Sequence, residues 1–379
     1  MLRIVGGTVL LPGHGLERAD LVLREGIIDR MGTADGGMAL NAAGMLVLPG
    51  IVDLHGDAFE RQMQPRPGVD FPAELALRDT ESQLLANGIT TAFHGVTLSW
   101  EPGLRSLSAW QAMLDALQAH RWTCDMRVHL RWEAFNLDAL ETALADIAAG
   151  RVHLLAFNDH TPAILRKVKD PLEGGKYSGR AGMSMDAFRA LADRIAARAD
   201  AVPSAQQKIA LAARQAGLPM ASHDDDTVDT RNQFRSLGAR ICEFPMADDV
   251  AREAAAAGDF VAMGSPNVVR GGSHMGWGKA APLAEAGVCS ILTSDYYYPA
   301  MLRAAFVLAD RGTLDLAQAW RLMAENPAKA AGLTDRGVIE PGRRGDLVVV
   351  DPQARRAVAT VVDGRIAWLN AKALLSVAT

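Results

Sequence analysis

Apolar and polar positions follow two different rhythms along this chain. Toward the N-terminus, short apolar runs alternate with polar residues, and 19–30 reads as a β-hairpin turning at Glu25-Gly26. The same grammar returns near the other end, in Asp346-Leu347-Val348-Val349-Val350 and in 359–368, which turns at Asp363-Gly364. The two ends therefore predict two halves of one strand-rich unit. Between them, apolar runs at 45–54, 88–94, 126–131, 152–157, 218–222, 240–243, 259–263 and 290–294 predict eight buried strands. Helical patterns intervene at 106–121, at 136–149 with Gly150 as a stop, and at 184–199, 204–216 and 314–325.

Strands alternating with helices imply βαβ units and a parallel sheet, and eight of them imply closure. The expected fold is α/β: a (β/α)8 TIM-like barrel over 50–335, with a small β-sandwich composed of 1–49 and 336–379. A length of 379 residues suits one barrel with such an appendage. An open doubly wound sheet is the rival, but it would normally bind nucleotide at a glycine-rich first turn, and neither GxGxxG nor GxxxxGK[ST] occurs.

Composition narrows the function classes. With 49% hydrophobic and 22% charged residues the chain can bury a sizeable core. A formal net charge of -5 offers no cationic excess for nucleic acid or an anionic membrane, so an anionic substrate must be held by local positive charge. Cys124, Cys242 and Cys289 are scattered and lack CxxC spacing, which speaks against disulfides or a thiolate zinc site and for a cytoplasmic location. No secretory pattern or membrane-spanning apolar run is read.

In a barrel the loops after the strands form the active face, so donors just beyond strand ends are weighed first. Val52-Asp53-Leu54-His55-Gly56-Asp57 places His55 and Asp57 on one side of an extended chain, a natural clamp for an ion. Alone, a His-x-Asp is as readily a polar turn. Other strand ends add Glu133, His160, His223 and Asp295, and the six together point to a metal site. Imidazole and carboxylate donors suit one or two divalent ions, zinc or manganese, with Glu133 suited to bridge a pair. Asp295 is also the candidate proton acceptor, with a helix-capping carboxylate as its structural alternative. Glu243 is expected to orient a ligand histidine, and His274 to contact substrate. One of Asp224 to Asp226 is expected to face inward, the others to cap the next helix.

Leu48-Pro49-Gly50-Ile51-Val52-Asp53-Leu54-His55-Gly56-Asp57 resembles the opening metal motif of the amidohydrolase superfamily, and Glu325-Asn326-Pro327-Ala328 through Asp346-Leu347-Val348 resembles its return to the small sheet. Pro65-Arg66-Pro67-Gly68-Val69, Ser222-His223-Asp224-Asp225, Glu243-Phe244-Pro245, the run 264–274 and Ser294-Asp295-Tyr296 resemble, more narrowly, the family of α-D-ribose 1-methylphosphonate 5-triphosphate diphosphatases of the carbon-phosphorus lyase pathway. That resemblance covers nearly the whole chain. It implies hydrolysis of a ribose 5-triphosphate to the 5-phosphate with release of diphosphate. Asp57 replaces the second histidine of the superfamily's His-x-His, Glu243 stands where many members carry histidine, and no lysine takes the carbamylated bridging role, which leaves the bridge to Glu133.

For a phosphorylated sugar, Arg66, Lys169, Lys176, Arg180, Arg270 and Lys279 are the cations of the expected mouth loops, each equally readable as solvated surface charge. The competing readings are an amide hydrolase or deaminase acting on a small non-phosphorylated metabolite, and a non-catalytic barrel subunit. A homo-oligomer is compatible with the sequence.

Overall fold

The computed structural model describes residues 1–66, 68–272, 278–370 and 377–378, and only the backbone of 171–173, 176, 180 and 377–378. Eight parallel strands lie side by side in chain order: β1 (Ile51–Gly56), β2 (Ile89–Leu98), β3 (Asp125–Glu133), β4 (Leu154–Asn158), β5 (Met220–His223), β6 (Ile241–Glu243), β7 (Phe260–Gly264) and β8 (Ile291–Thr293). Every one of the apolar runs read from the sequence overlaps one of these strands. They read as continuous apolar runs because parallel strands are covered on both faces. Val52, Leu54, Phe93, Leu154, Ala156, Ala221, Ile241, Ala262 and Ile291 form a single buried cluster.

The first and last strands meet just beyond β8. The Asp295 N–H donates to the His55 carbonyl at 2.9 Å and the Asp57 N–H donates to the Asp295 carbonyl at 3.0 Å, forming a parallel bridge between Gly56 and Asp295. Asp53, fully buried, strengthens the seam by accepting from the Ser294 N–H at 2.9 Å and from its hydroxyl at 2.5 Å.

The helices begin where capping residues dictate. Ser106 accepts from the Ala109 N–H ahead of α1 (Leu107–Ala119), and Ser184 accepts from the Ala187 N–H ahead of a helix at Met185–Ala196. One expectation is corrected: 314–325 is not a single helix but two, Leu316–Arg321 and Glu325–Ala330. An Asp315/Gln318 capping box starts the first, and non-helical backbone at Ala324, with φ of -130° and ψ of -74°, ends the continuity. The break frees two carbonyls for the barrel, since Leu322 accepts from the Leu292 N–H at 2.7 Å and Met323 from the Val52 N–H at 2.9 Å.

Both termini contribute to one mixed sheet of nine strands. Leu46–Pro49 is its join, parallel to Leu2–Leu11 on one side and antiparallel to Leu347–Asp351 on the other. Leu2, Ile4, Val9, Leu21, Val47, Leu347, Val349 and Val361 share its core. The two foreseen hairpin turns dock on each other. Glu25 and Gly26 have φ of 50° and 85°, Asp363 and Gly364 of 51° and 68°, the paired left-handed conformations of tight hairpins. The Gly345 N–H donates to the Gly26 carbonyl at 2.7 Å and the Gly364 N–H to the Gly345 carbonyl at 3.0 Å. A Cβ on Gly364 would lie 3.2 Å from the Gly26 Cα. Among the described residues, no helix is long and apolar enough to cross a membrane.

Candidate functional site

Three strand ends build the site by the same device. Beyond β5, Asp224 donates its N–H to the Glu243 carbonyl; beyond β6, Phe244 donates to the Ala262 carbonyl; beyond β8, Asp295 donates to the His55 carbonyl, each at 2.9 Å. Having bonded to the neighbouring strand, all three turn left-handed, with φ of 59°, 52° and 55°. That conformation is uncommon outside glycine and costs about 1–2 kcal/mol per residue. All three side chains line the same cavity of about 270 Å³, together with His55, Asp57, Arg131, His223 and Tyr296.

Four of the six predicted donors, His55, Asp57, His223 and Asp295, thus share one pocket. The other two lie one step outward. Glu133 is buried, and its carboxylate accepts from the N–H groups of His160 and Thr161 at 3.1 Å and from the Thr161 hydroxyl at 2.7 Å. It anchors the loop after β4, and it belongs to neither group of side chains whose donor atoms lie close enough to hold one ion. The carboxylate among those groups is instead Glu243, expected only to orient a ligand: its Oε2 lies 3.1 Å from His55 Nδ1, and His55, His223 and Glu243 form the inner group. The outer group is His160, His223 and Asp224, with Asp224 oxygens 3.3 Å from His160 Nε2 and 3.1 Å from His223 Nδ1.

The inward residue of the acidic triplet is therefore Asp224. Asp225 is buried against the Ser222 hydroxyl and Arg231, and the following helix is capped by Thr227, not by an aspartate. Of the predicted cations, Arg270 reaches the site through the Tyr296 hydroxyl, 3.1 Å from its Nη1. Lys279 is exposed beside the pocket-lining Gly278. Arg66 is exposed in a loop bridging to Val69 and does not line the pocket, and Lys169 is exposed as well. The side chains of His274, Lys176 and Arg180 lie outside the described residues.

The sequence reading missed Arg131 and His129. Arg131, nearly buried on β3, sets Nη2 3.1 Å from His223 Nε2 and Nη1 3.5 Å from an Asp57 oxygen. His129 is fully buried, with Nε2 3.6 Å from Glu243 and no hydrogen-bond partner. Alternation along a strand carries their signal: His129, Arg131 and Glu133 are spaced by two, so all three share the face of β3 that bears the donor.

Burial sets the protonation of the inner group. Desolvation, reinforced by the Arg131 charge, lowers His55 to about 3, and desolvation likewise lowers His223 to about 4 and His129 to about 3. At neutral pH these imidazoles are neutral and able to coordinate without first losing a proton. In the outer group burial opposes the charge of His160, but the hydrogen bonds it donates to the Asp224 and Glu133 carboxylates outweigh this and raise His160 to about 9. Burial, then the nearby Asp57 charge, pushes the Asp295 carboxyl up to about 7. Neutral imidazoles, a buried Glu243 whose Oε1 has no hydrogen-bond partner, and the unpartnered His129 Nε2 are the chemistry of a divalent-ion site, and the residues fit one.

The model of the amidohydrolase family matches residues 46–367. The chain is 34% identical over 323 residues, 82% of its length, to the alpha-D-ribose 1-methylphosphonate 5-triphosphate diphosphatase of Escherichia coli, of which 84% is covered. It is 26% identical to an adenine deaminase of Methylobacterium nodulans over 93% of the chain, spanning 59% of that protein. Among solved structures, N-acetylglucosamine-6-phosphate deacetylase from Pasteurella multocida superposes with a TM-score of 0.66 at 11% identity, covering 97% of this chain and 100% of that one. With barrel, terminal sheet and donors gathered at the strand ends, and a family match running through nearly all of them, this chain belongs to the amidohydrolase family.

Proposed function

We propose that this hydrolase cleaves an α-D-ribose 1-alkylphosphonate 5-triphosphate to the 5-phosphate and diphosphate, in phosphonate catabolism. The observation that carries the reading is the extended likeness to the E. coli diphosphatase, over more than four-fifths of both chains. The pocket's chemistry agrees with it: Arg131 supplies positive charge at the donor cluster, where a triphosphate needs it. The barrel over 50–335 would carry the chemistry, and 1–49 with 336–379 the supporting terminal unit.

The family is generally dependent on divalent metal, and the donor set here has the groups to hold it. We take His55 and Glu243 as one pair of residues that would hold an ion and His160 and Asp224 as another, with His223, whose neutral ring gives one lone pair, serving one of the two, and Asp57 and Asp295 as flanking carboxylates. A divalent ion held there, zinc or manganese, would supply Lewis acidity toward a phosphoryl oxygen. Asp295 accepts the proton of the attacking water; a carboxyl raised to about 7 is matched to that task at neutral pH. The water oxygen bonds to phosphorus as the P–O anhydride bond breaks, and diphosphate leaves with the electron pair. Arg131 holds Asp57 and His223 in place through its guanidinium.

Assays of diphosphate release from the ribose triphosphate, run beside metal content, test the reading. Expected is turnover that follows metal loading; a metal-replete protein that releases no diphosphate ends it. A second reading, a deaminase or amide hydrolase, is favoured by the likeness to adenine deaminases. Arg270→Ala separates the two, since it would cripple phosphoanhydride cleavage and leave a phosphate-free substrate nearly indifferent.

A further inference from the structure

Two guanidinium groups from distant parts of the chain meet on one ring. Tyr296, half-buried, lines the pocket immediately after Asp295. Arg270, the last residue of the helix Ser265–Arg270 beyond β7, donates to its hydroxyl at 3.1 Å. Arg61, on the turn Glu60–Met63 beyond β1, holds its guanidinium carbon 6.0 Å from the centroid of the same ring. Both arginines are exposed, and among the described residues neither forms an ion pair. The acid next to Arg61 is engaged elsewhere, with Glu60 3.6 Å from Arg105.

Solvated surface arginines are common, but these two are fixed on a residue of the pocket wall. A guanidinium held over an aromatic face is drawn to it by its charge while its N–H groups stay available, and its weak hydration suits it to phosphate oxygens. In a chain of net charge -5, uncompensated cations at the rim are what would draw a polyanion to the mouth. Two such groups, one at the ring's hydroxyl and one over its face, suit a ligand with more than one phosphate, each phosphate pairing bidentately with its own guanidinium.

We infer that Arg61, Tyr296 and Arg270 form an anion-binding rim that grips the diphosphoryl end of the substrate, with Arg61 determining preference for chains of two or more phosphates. The inference rests on the phosphoanhydride reading above, which already calls on Arg270, and extends it to Arg61 and Tyr296.

Calorimetric titration with inorganic diphosphate, in excess magnesium and on metal-loaded protein, tests it without requiring turnover. Arg61→Gln and Arg270→Gln should each weaken diphosphate about tenfold, and the double variant should lose less than the product of the two, since both act through one ring. Arg61→Lys, which keeps charge without the planar fork, should fall between wild type and Arg61→Gln. Inorganic phosphate should change less than twofold in all of them, and Arg356→Gln, an equal charge change on the terminal sheet, should bind diphosphate as wild type does. Equal diphosphate affinity in Arg61→Gln and wild type overturns the rim, as does a wild type that does not bind diphosphate at millimolar concentration. Arg61-dependent diphosphate binding by a protein that leaves the ribose triphosphate intact keeps the rim and sinks the reaction. Turnover with an Arg61→Gln KM unchanged from wild type keeps the reaction and sinks the rim.

Discussion

The terminal sheet and the barrel mouth use the same backbone conformation for opposite reasons. Glu25, Arg355 and Asp363 in the sheet and Asp224, Phe244 and Asp295 at the mouth are the non-glycine residues with left-handed φ among those described. In the sheet, two of the three precede a glycine at a hairpin tip, where strand twist itself demands the conformation. At the mouth no glycine follows, no hairpin is made, and each residue is locked by a hydrogen bond to the next strand's carbonyl. Strain that a turn would impose anywhere is structural; strain repeated at three strand ends around one pocket is aimed at the pocket.

Substitutions can separate the two cases. The largest effect is expected at Asp295→Asn: asparagine accepts left-handed φ as readily as aspartate, so the fold should persist while kcat falls about 10² or more with the loss of the proton acceptor. A folded variant with near-normal kcat would return Asp295 to a purely structural role. Next, Gly364→Ala places a methyl against Gly26 in a left-handed turn, and denaturant unfolding should show a loss of about 2 kcal/mol, with kcat of the folded protein unchanged. A smaller effect is expected from a pair of variants at Phe244, whose ring lies edge-on to His55 at 4.8 Å and to His223 at 5.2 Å. Phe244→Gly and Phe244→Ala lose the same contacts, so glycine should be the more stable by about 1 kcal/mol if φ is strained; equal stability would remove strain from the mouth. The smallest is Glu25→Asn, exposed at a hairpin tip, where unfolding free energy should rise by about 0.5 kcal/mol at most.

The contrast also explains what could be read from the sequence. Hairpin tips and the eight strands were legible because Xaa-Gly turns and apolar runs are local signals. So were His55, Asp57, His223 and Asp295, each placed by its distance from a strand end. The partners were not: Glu243 comes close enough to His55 and His223 for the three to hold one ion and Glu133 does not, a matter of how neighbouring strands sit beside each other, which a single strand's pattern does not reveal. The broken helix at 316–330 was hidden for the same reason, since its break serves N–H groups on β1 and β8. Arg61 carries no local signal at all; only the fold brings it to Tyr296.

The glycine junction of the two hairpins has a consequence for how the chain is made. Val47 pairs with Val349 across the join, a separation of roughly 300 residues that synthesis at about 5–20 residues per second crosses in on the order of 15–60 s. For that interval the N-terminal strands have left the ribosome with their apolar face and the edge of Leu46–Pro49 uncovered. The barrel's parallel strands, themselves slow to pair, are being made meanwhile. Gly345 and Gly364 arrive only after the barrel strands, so a chain truncated shortly before Gly345 lacks the strand Leu347–Asp351 and leaves the edge of Leu46–Pro49 open, a strand edge of the kind that invites association with another chain.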